Sequence, residues 1–318
     1  MVQAAIDSVV AMARARQCYD IVFRFPFPSS RSFRIVARIP AMVNDPAPSL
    51  CEAAVEVLSA AAPSEKVSLG RARAGLWRDG VIRDIGAAPP PDRPARPENP
   101  RLLLPRDLPK RKISAEPAGR VALLHALAHI ELNAIDLAWD MIARFSREGL
   151  PGAFFDDWVR VADEESKHFA LLSARLEELA SSYGALPAHD GLWTAAEATA
   201  HDLLARLAVV PLVLEARGLD VTPAMIARLR SVGDSASADI LEIIYRDEIG
   251  HVAVGKRWFD HVVRRRGQDP IDCWQGLVRR FFKGGVKPPF NIEAREAAGF
   301  SAAFYGPLGD EFLARKVS

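Results

Sequence analysis

Between residues 117 and 266, apolar positions recur at helical spacing almost without a break. The pattern predicts four long helices. Helix A spans about 119–147 and stops at Gly149; helix B spans about 153–183 and stops at Gly184. Helix C spans about 192–217 and stops at Gly218, with Pro211 kinking it from inside. Thr222 and Pro223 read as an N-cap followed by proline at the first helical position, opening a short helix to Ser231. Helix D spans about 235–266. Helices of about 25–30 residues reach roughly 40 Å at 1.5 Å per residue, the scale of a long four-helix bundle. No segment here alternates with the period of a strand. The expected class is all-α, a four-helix bundle with extra N-terminal and C-terminal helices.

The flanks read differently. Residues 48–80 predict helix, with Ser49 as cap and Ala54, Val55, Val57 and Leu58 on the apolar face. A second short helix is expected over about 68–77, stopped by Gly80. Eight prolines fall within 86–110, which excludes regular helix and favours extended chain. Leu102, Leu103 and Leu104 offer that connector an anchor on the bundle. Residues 1–41 mix Phe, Arg, Ser and Pro without helical period, as an edge hairpin or a poorly ordered arm would, and Met42 reads as the true start. The expected division is an extension at 1–41, a small helical segment at 42–85, a connector at 86–116, the bundle at 117–268, and a C-terminal helix with a covering loop at 269–318.

Composition narrows the function. Of 318 residues about half are apolar and the net charge is +1, so nothing global points to nucleic acid or membrane. Cys18, Cys51 and Cys273 are far apart and odd in number, against a disulfide framework and in keeping with a reducing compartment. No apolar run approaches the roughly 18 residues of a membrane span, and residues 9–12 are too short for a signal sequence. A cytoplasmic location with no membrane partner is expected.

The chemistry lies in the bundle. Of seven histidines, only His168 and His251 have a glutamate three residues earlier, Glu165 and Glu248. That spacing puts carboxylate and imidazole on one helix face, one turn apart. Glu131 precedes the first pair, and Glu215 the second, by nearly the same interval. The chain thus repeats one unit: a lone glutamate, a turn, then Glu-x-x-His. Each glutamate lies on an apolar stripe, such as Leu124, Ala128, Ile135 and Ala138 around Glu131. Four carboxylates in a dry core are costly unless their charge is matched. Two divalent cations match it, and mixed carboxylate and imidazole ligands suit iron or manganese. One such pair alone would be an ordinary surface accident; two in matching register are not.

The strings HALAHIELNAIDLAWDMIARF, FFDDWVRVADEESKHF, VVPLVLEARGLDVTP, YRDEIGHVAVGKRWF and KPPFN resemble the bacterial family labelled domain of unknown function 455, over about residues 48–308. That family looks like a relative of the di-iron hydroxylase that acts on methylthio-isopentenyl-adenosine in tRNA. The resemblance implies a ferritin-like bundle and a metal site of Glu131, Glu165, His168, Glu215, Glu248 and His251, all present here. It implies no substrate.

Three neighbours could tune the site. Asp247 and Glu164 adjoin ligands and could orient a metal-bound histidine. Tyr245 lies one turn before Glu248 and could donate a proton or simply pack. His125, His129, Asp136 and Asp140 form a second polar stripe on helix A, more in keeping with bonds to the connector or N-terminal helices. His201 and Glu197 lie too far along helix C to reach the same metals, and His189 and His261 read as surface residues. Residues 261–290 are locally basic, a phosphate or RNA surface if not a solvated face. The loop 287–291 reads as a rigid cover over one bundle end. The expected activity is dioxygen-dependent oxidation by a di-iron centre, on a small molecule or tRNA, with an external electron donor. The alternatives are metal storage or peroxide removal, and a metal-stabilised binding protein. The catalytic residues and the oligomeric state stay open.

Overall fold

The computed structural model describes residues 19–25, 33–39, 48–108 and 116–317. Its class is all-α, as the periodicity predicts. Helix α1 (Leu50–Ser59) opens on a reciprocal cap: the Ser49 side chain accepts from Glu52 N, and the Glu52 carboxylate accepts from Ser49 N. Helix α2 (Pro63–Arg78) starts on a proline and is longer than the sequence predicts. The long helices are α3 (Pro117–Arg144), α4 (Gly152–Glu178) and α8 (Ser235–Arg265). They end one to five residues before the positions read from sequence.

The region predicted as helix C departs most from expectation. Helix α5 (Gly191–Ala198) ends early, and Asp202 starts α6 (Leu203–Val209) afresh by accepting from Leu204 N. A π-helical turn, Val210–Glu215, then leads into α7 (Ala216–Ser231). Gly218 does not stop the helix, and Thr222-Pro223 does not start one. The reason is long-range. Pro223 lacks the N–H that would bond Leu219 O, and the Asn291 side chain donates to that carbonyl instead, at 3.1 Å. Helices α9 (Pro270–Phe281), α10 (Ile292–Ala297) and α11 (Ala302–Val317) follow.

Helix α3 packs against α4, the π turn and α7 against α8, and α4 against α8. These contacts are compatible with a four-helix bundle made of two helix pairs. Helices α1 and α2 cover α3 and α4, while α9 and α10 lie against the second pair. One continuous core joins Leu50 and Val57 of α1, Leu124 and Ile135 of α3, Phe154 and Leu172 of α4, and Leu241 and Phe259 of α8. Each such fully buried side chain contributes about 1.5–3 kcal/mol.

Three expectations need correction or limits. The connector is anchored by its backbone rather than its leucines: Leu103 N donates to Ala188 O at 2.8 Å, while Leu102 and Leu104 are exposed. Among the described residues one helix, α3, is long and apolar enough to cross a membrane, contrary to the sequence reading; 72% of its most apolar window is buried inside the protein. Strands β1 (Tyr19–Phe25) and β2 (Phe33–Ile39) pair antiparallel, from Tyr19 opposite Ile39 to Phe25 opposite Phe33. Met42 and the rest of the N-terminal extension lie outside the described residues.

Candidate metal centre

Glu131 comes from the middle of α3, and Glu165 and His168 from the middle of α4. Glu215 closes the π turn, and Glu248 and His251 come from the middle of α8. Glu131 is 4% exposed, and Glu165, His168 and His251 are fully buried. One potential ligand atom from each of Glu131, Glu165, His168 and Glu248 falls within 4.8 Å of the others. Glu215 and His251 stand beside this group rather than inside it. His251 Nδ1 lies 2.9 Å from Glu165 Oε1 and 3.5 Å from Glu248 Oε1. Glu165 therefore divides its two oxygens: Oε1 faces His251, and Oε2 faces His168 Nδ1 at 3.2 Å. Glu131 Oε2 is 3.3 Å from that same Nδ1. The two imidazole rings have centroids 5.6 Å apart. Glu215 is partly exposed as a residue, yet its Oε2 is fully shielded.

Five shielded atoms here lack a hydrogen-bond partner: Glu131 Oε2, Glu165 Oε1, Glu215 Oε2, Glu248 Oε2 and His251 Nδ1. Glu165 Oε1 and His251 Nδ1 are close but misaligned. Buried polar atoms are normally satisfied, so such a group of orphans is informative. A buried cluster of carboxylate and imidazole can bind a metal ion, and these atoms fit one.

Electrostatics describe the metal-free state. Burial, with repulsion from Glu165, pushes the Glu131 carboxyl well above its usual range. Burial, with Glu248 and Glu165 nearby, does the same to Glu215; burial and Glu165 raise Glu248. Burial also opposes charge on Glu165, but the two imidazoles outweigh it and hold that carboxylate well below its usual range. Burial disfavours the imidazolium of His168, yet Asp247, Glu131 and Glu165 more than compensate and raise it well above its ordinary value. His251 is likewise raised, by Glu165, Glu248 and Glu164 acting against burial.

The outer contacts cross between helices. His168 on α4 donates through Nε2 to Asp247 on α8, at 2.9 Å, and His251 on α8 donates through Nε2 to Glu164 on α4, at 2.8 Å. Each carboxylate is paired in turn, Asp247 with Lys167 at 2.5 Å and Glu164 with Arg160 at 3.4 Å. Both Nδ1 atoms are left facing inward. Lys167 and Arg160 escaped the sequence reading; the i,i+4 spacing of Arg160 and Glu164 was the available signal.

Other residues fall away from the centre. Tyr245 accepts from the Asn291 side chain at 2.9 Å. Asp136 pairs with Lys66 of α2 and Arg96 of the connector, as the stripe on helix A suggests, but Asp140 pairs with Arg144 and Arg206. His125 and His129 both reach the loop after α4. His125 Nε2 accepts from Gly184 N, and His129 contacts the Tyr183 hydroxyl at 2.8 Å and His189 O at 3.1 Å. Burial and Arg96 push the His129 imidazole down to about 4, so it is neutral. His201 packs on Phe281, Glu197 pairs with Arg93, and His261 meets Trp258. His189 is partly buried, not a free surface residue. Much of the basic stretch is engaged: Arg266 with Asp202 and Arg279 with Glu311. The loop at 287–291 is fastened to α7, where Arg217 donates to Lys287 O at 2.7 Å and Asp220 accepts from Asn291 N at 2.9 Å.

A family model described as a protein of unknown function (DUF455) matches residues 59–306. A protein of Haemophilus influenzae, described as uncharacterized, is 47% identical over 218 residues, covering 65% of this chain and 73% of that relative. No solved structure matches the chain.

Proposed function

Because this chain belongs to the DUF455 family, whose description assigns no activity, we propose its function from the site itself: a ferritin-like di-iron protein that activates dioxygen to oxidise an organic substrate. The observation that supports this reading is the set of five shielded atoms without a hydrogen-bond partner on Glu131, Glu165, Glu215, Glu248 and His251. His168 completes the donor set through Nδ1. Four carboxylates and two imidazoles match two divalent ions in charge and in ligand softness. When bound, a pair of ferrous ions supplies the electrons that reduce dioxygen.

The chain's own residues do the rest. Glu165 offers one oxygen to each side of the site. Asp247 and Glu164 hold the imidazoles in the tautomer that presents Nδ1. The apolar stripes of α3, α4 and α8 exclude bulk water. The substrate is a small molecule or a tRNA nucleoside, the electrons are replenished by an external donor, and the setting is cytoplasmic.

The test is metal analysis of natively expressed protein with Mössbauer and electron paramagnetic resonance spectra, followed by dioxygen uptake of the ferrous form. Two coupled irons per chain with substrate-independent dioxygen consumption support the proposal. A chain purified without bound metal, or an iron-loaded chain inert to dioxygen, overturns it. A manganese pair that dismutates peroxide would replace it with the peroxide-removing alternative.

A further inference from the structure

Glu215 is the one carboxylate of the set delivered by irregular helix, and it lies outside the tightest group of ligand atoms. A π turn inserts about one residue into a helix, rotating everything beyond it by about 100°. Remove the π turn and Glu215 leaves the core. Three features outside the ligand set hold that turn. Gly255 of α8 faces Pro211: a Cβ at Gly255 would lie 2.3 Å from Pro211 Cβ and 2.6 Å from its Cγ. No other side chain but hydrogen fits there. The indole N–H of fully buried Trp274, on α9, donates to Ala208 O at 3.1 Å, at the foot of the turn. Beyond the turn, Arg295 donates to Ala216 O at 3.3 Å.

We propose that Gly255 and Trp274 are positioning residues for Glu215: the contact with Pro211 and the bond to Ala208 O keep the turn wound, and the second metal position exists only while they do. This rests on the dinuclear reading above. The Glu131, Glu165 and His168 side of the site does not depend on the turn, so its ion survives the loss of the other.

The experiment titrates manganese(II) into the metal-free full chain, counting bound ions and recording electron paramagnetic resonance. The wild type is expected to bind about two ions with a coupled spectrum, and Gly255→Ala and Trp274→Phe about one, with the spectrum of an isolated ion. If Gly255→Ala fails to fold, Trp274→Phe, which keeps an aromatic ring but loses the five-membered ring and its N–H, decides. Two coupled ions in Trp274→Phe, or in a folded Gly255→Ala, overturn the inference. A wild type that binds one ion or none instead overturns the dinuclear reading on which it rests.

Discussion

A metal held at this site would compete with protons for the same atoms. Burial and mutual repulsion raise Glu131, Glu215 and Glu248, and their carboxylate neighbours raise His168 and His251. Each shift favours the protonated form in the metal-free protein. Coordination requires those protons to leave, so metal affinity falls as pH falls, and uptake releases protons. Calorimetry in two buffers of different ionisation enthalpy should show that release; equal heats in both would contradict it. Asp247→Asn keeps the size of the side chain but weakens the hold on His168 Nε2, and is expected to cost about 10–100-fold in metal affinity. Asp136 lies away from the centre and buries a charge against Lys66 at 2.5 Å. Asp136→Ala strands that lysine and should cost about 3–5 kcal/mol in denaturant unfolding, with metal content unchanged. The buried glutamates stood out because a carboxylate in an apolar stripe is conspicuous, and the two histidines because each follows a glutamate by three residues. Lys66, Arg160 and Lys167 were not, since a single lysine or arginine reads as a solvated face.

At the scale of elements, α3, α4 and α8 could be read from period alone, because their hydrogen bonds are local. The stretch from α5 to α7 could not. Pro211 does fall in an irregular turn, but Gly218 and Pro223 signal interruptions that do not occur. Trp274 takes up Ala208 O, and Asn291 takes up Leu219 O. Asn291→Ala withdraws the donor from Leu219 O and also uncaps α10, where Asn291 accepts from Ala294 N. The expected loss is about 1–3 kcal/mol. Faster hydrogen exchange confined to α7 and α10 would locate it; uniform exchange across the chain would argue against that assignment.

Over the whole molecule, the bundle and its centre are one object. Metal removal by a chelator should leave helical circular dichroism nearly intact at room temperature, yet lower Tm, because ions that bind only the native chain stabilise it by mass action. An unchanged Tm would mean that the native chain gains nothing from the ions. The apolar character of α3 has the same origin: a helix enclosed by α1, α4 and α5 needs few charges, and away from the centre Asp136 and Asp140 are paired. The reciprocal grip of the two histidine helices has a mechanical consequence. Asp247 reaches from α8 to His168, and Glu164 reaches back from α4 to His251. Sliding one rod along the other by a single turn would sever both tethers at once, and so would parting the rods, so the pair moves as a unit.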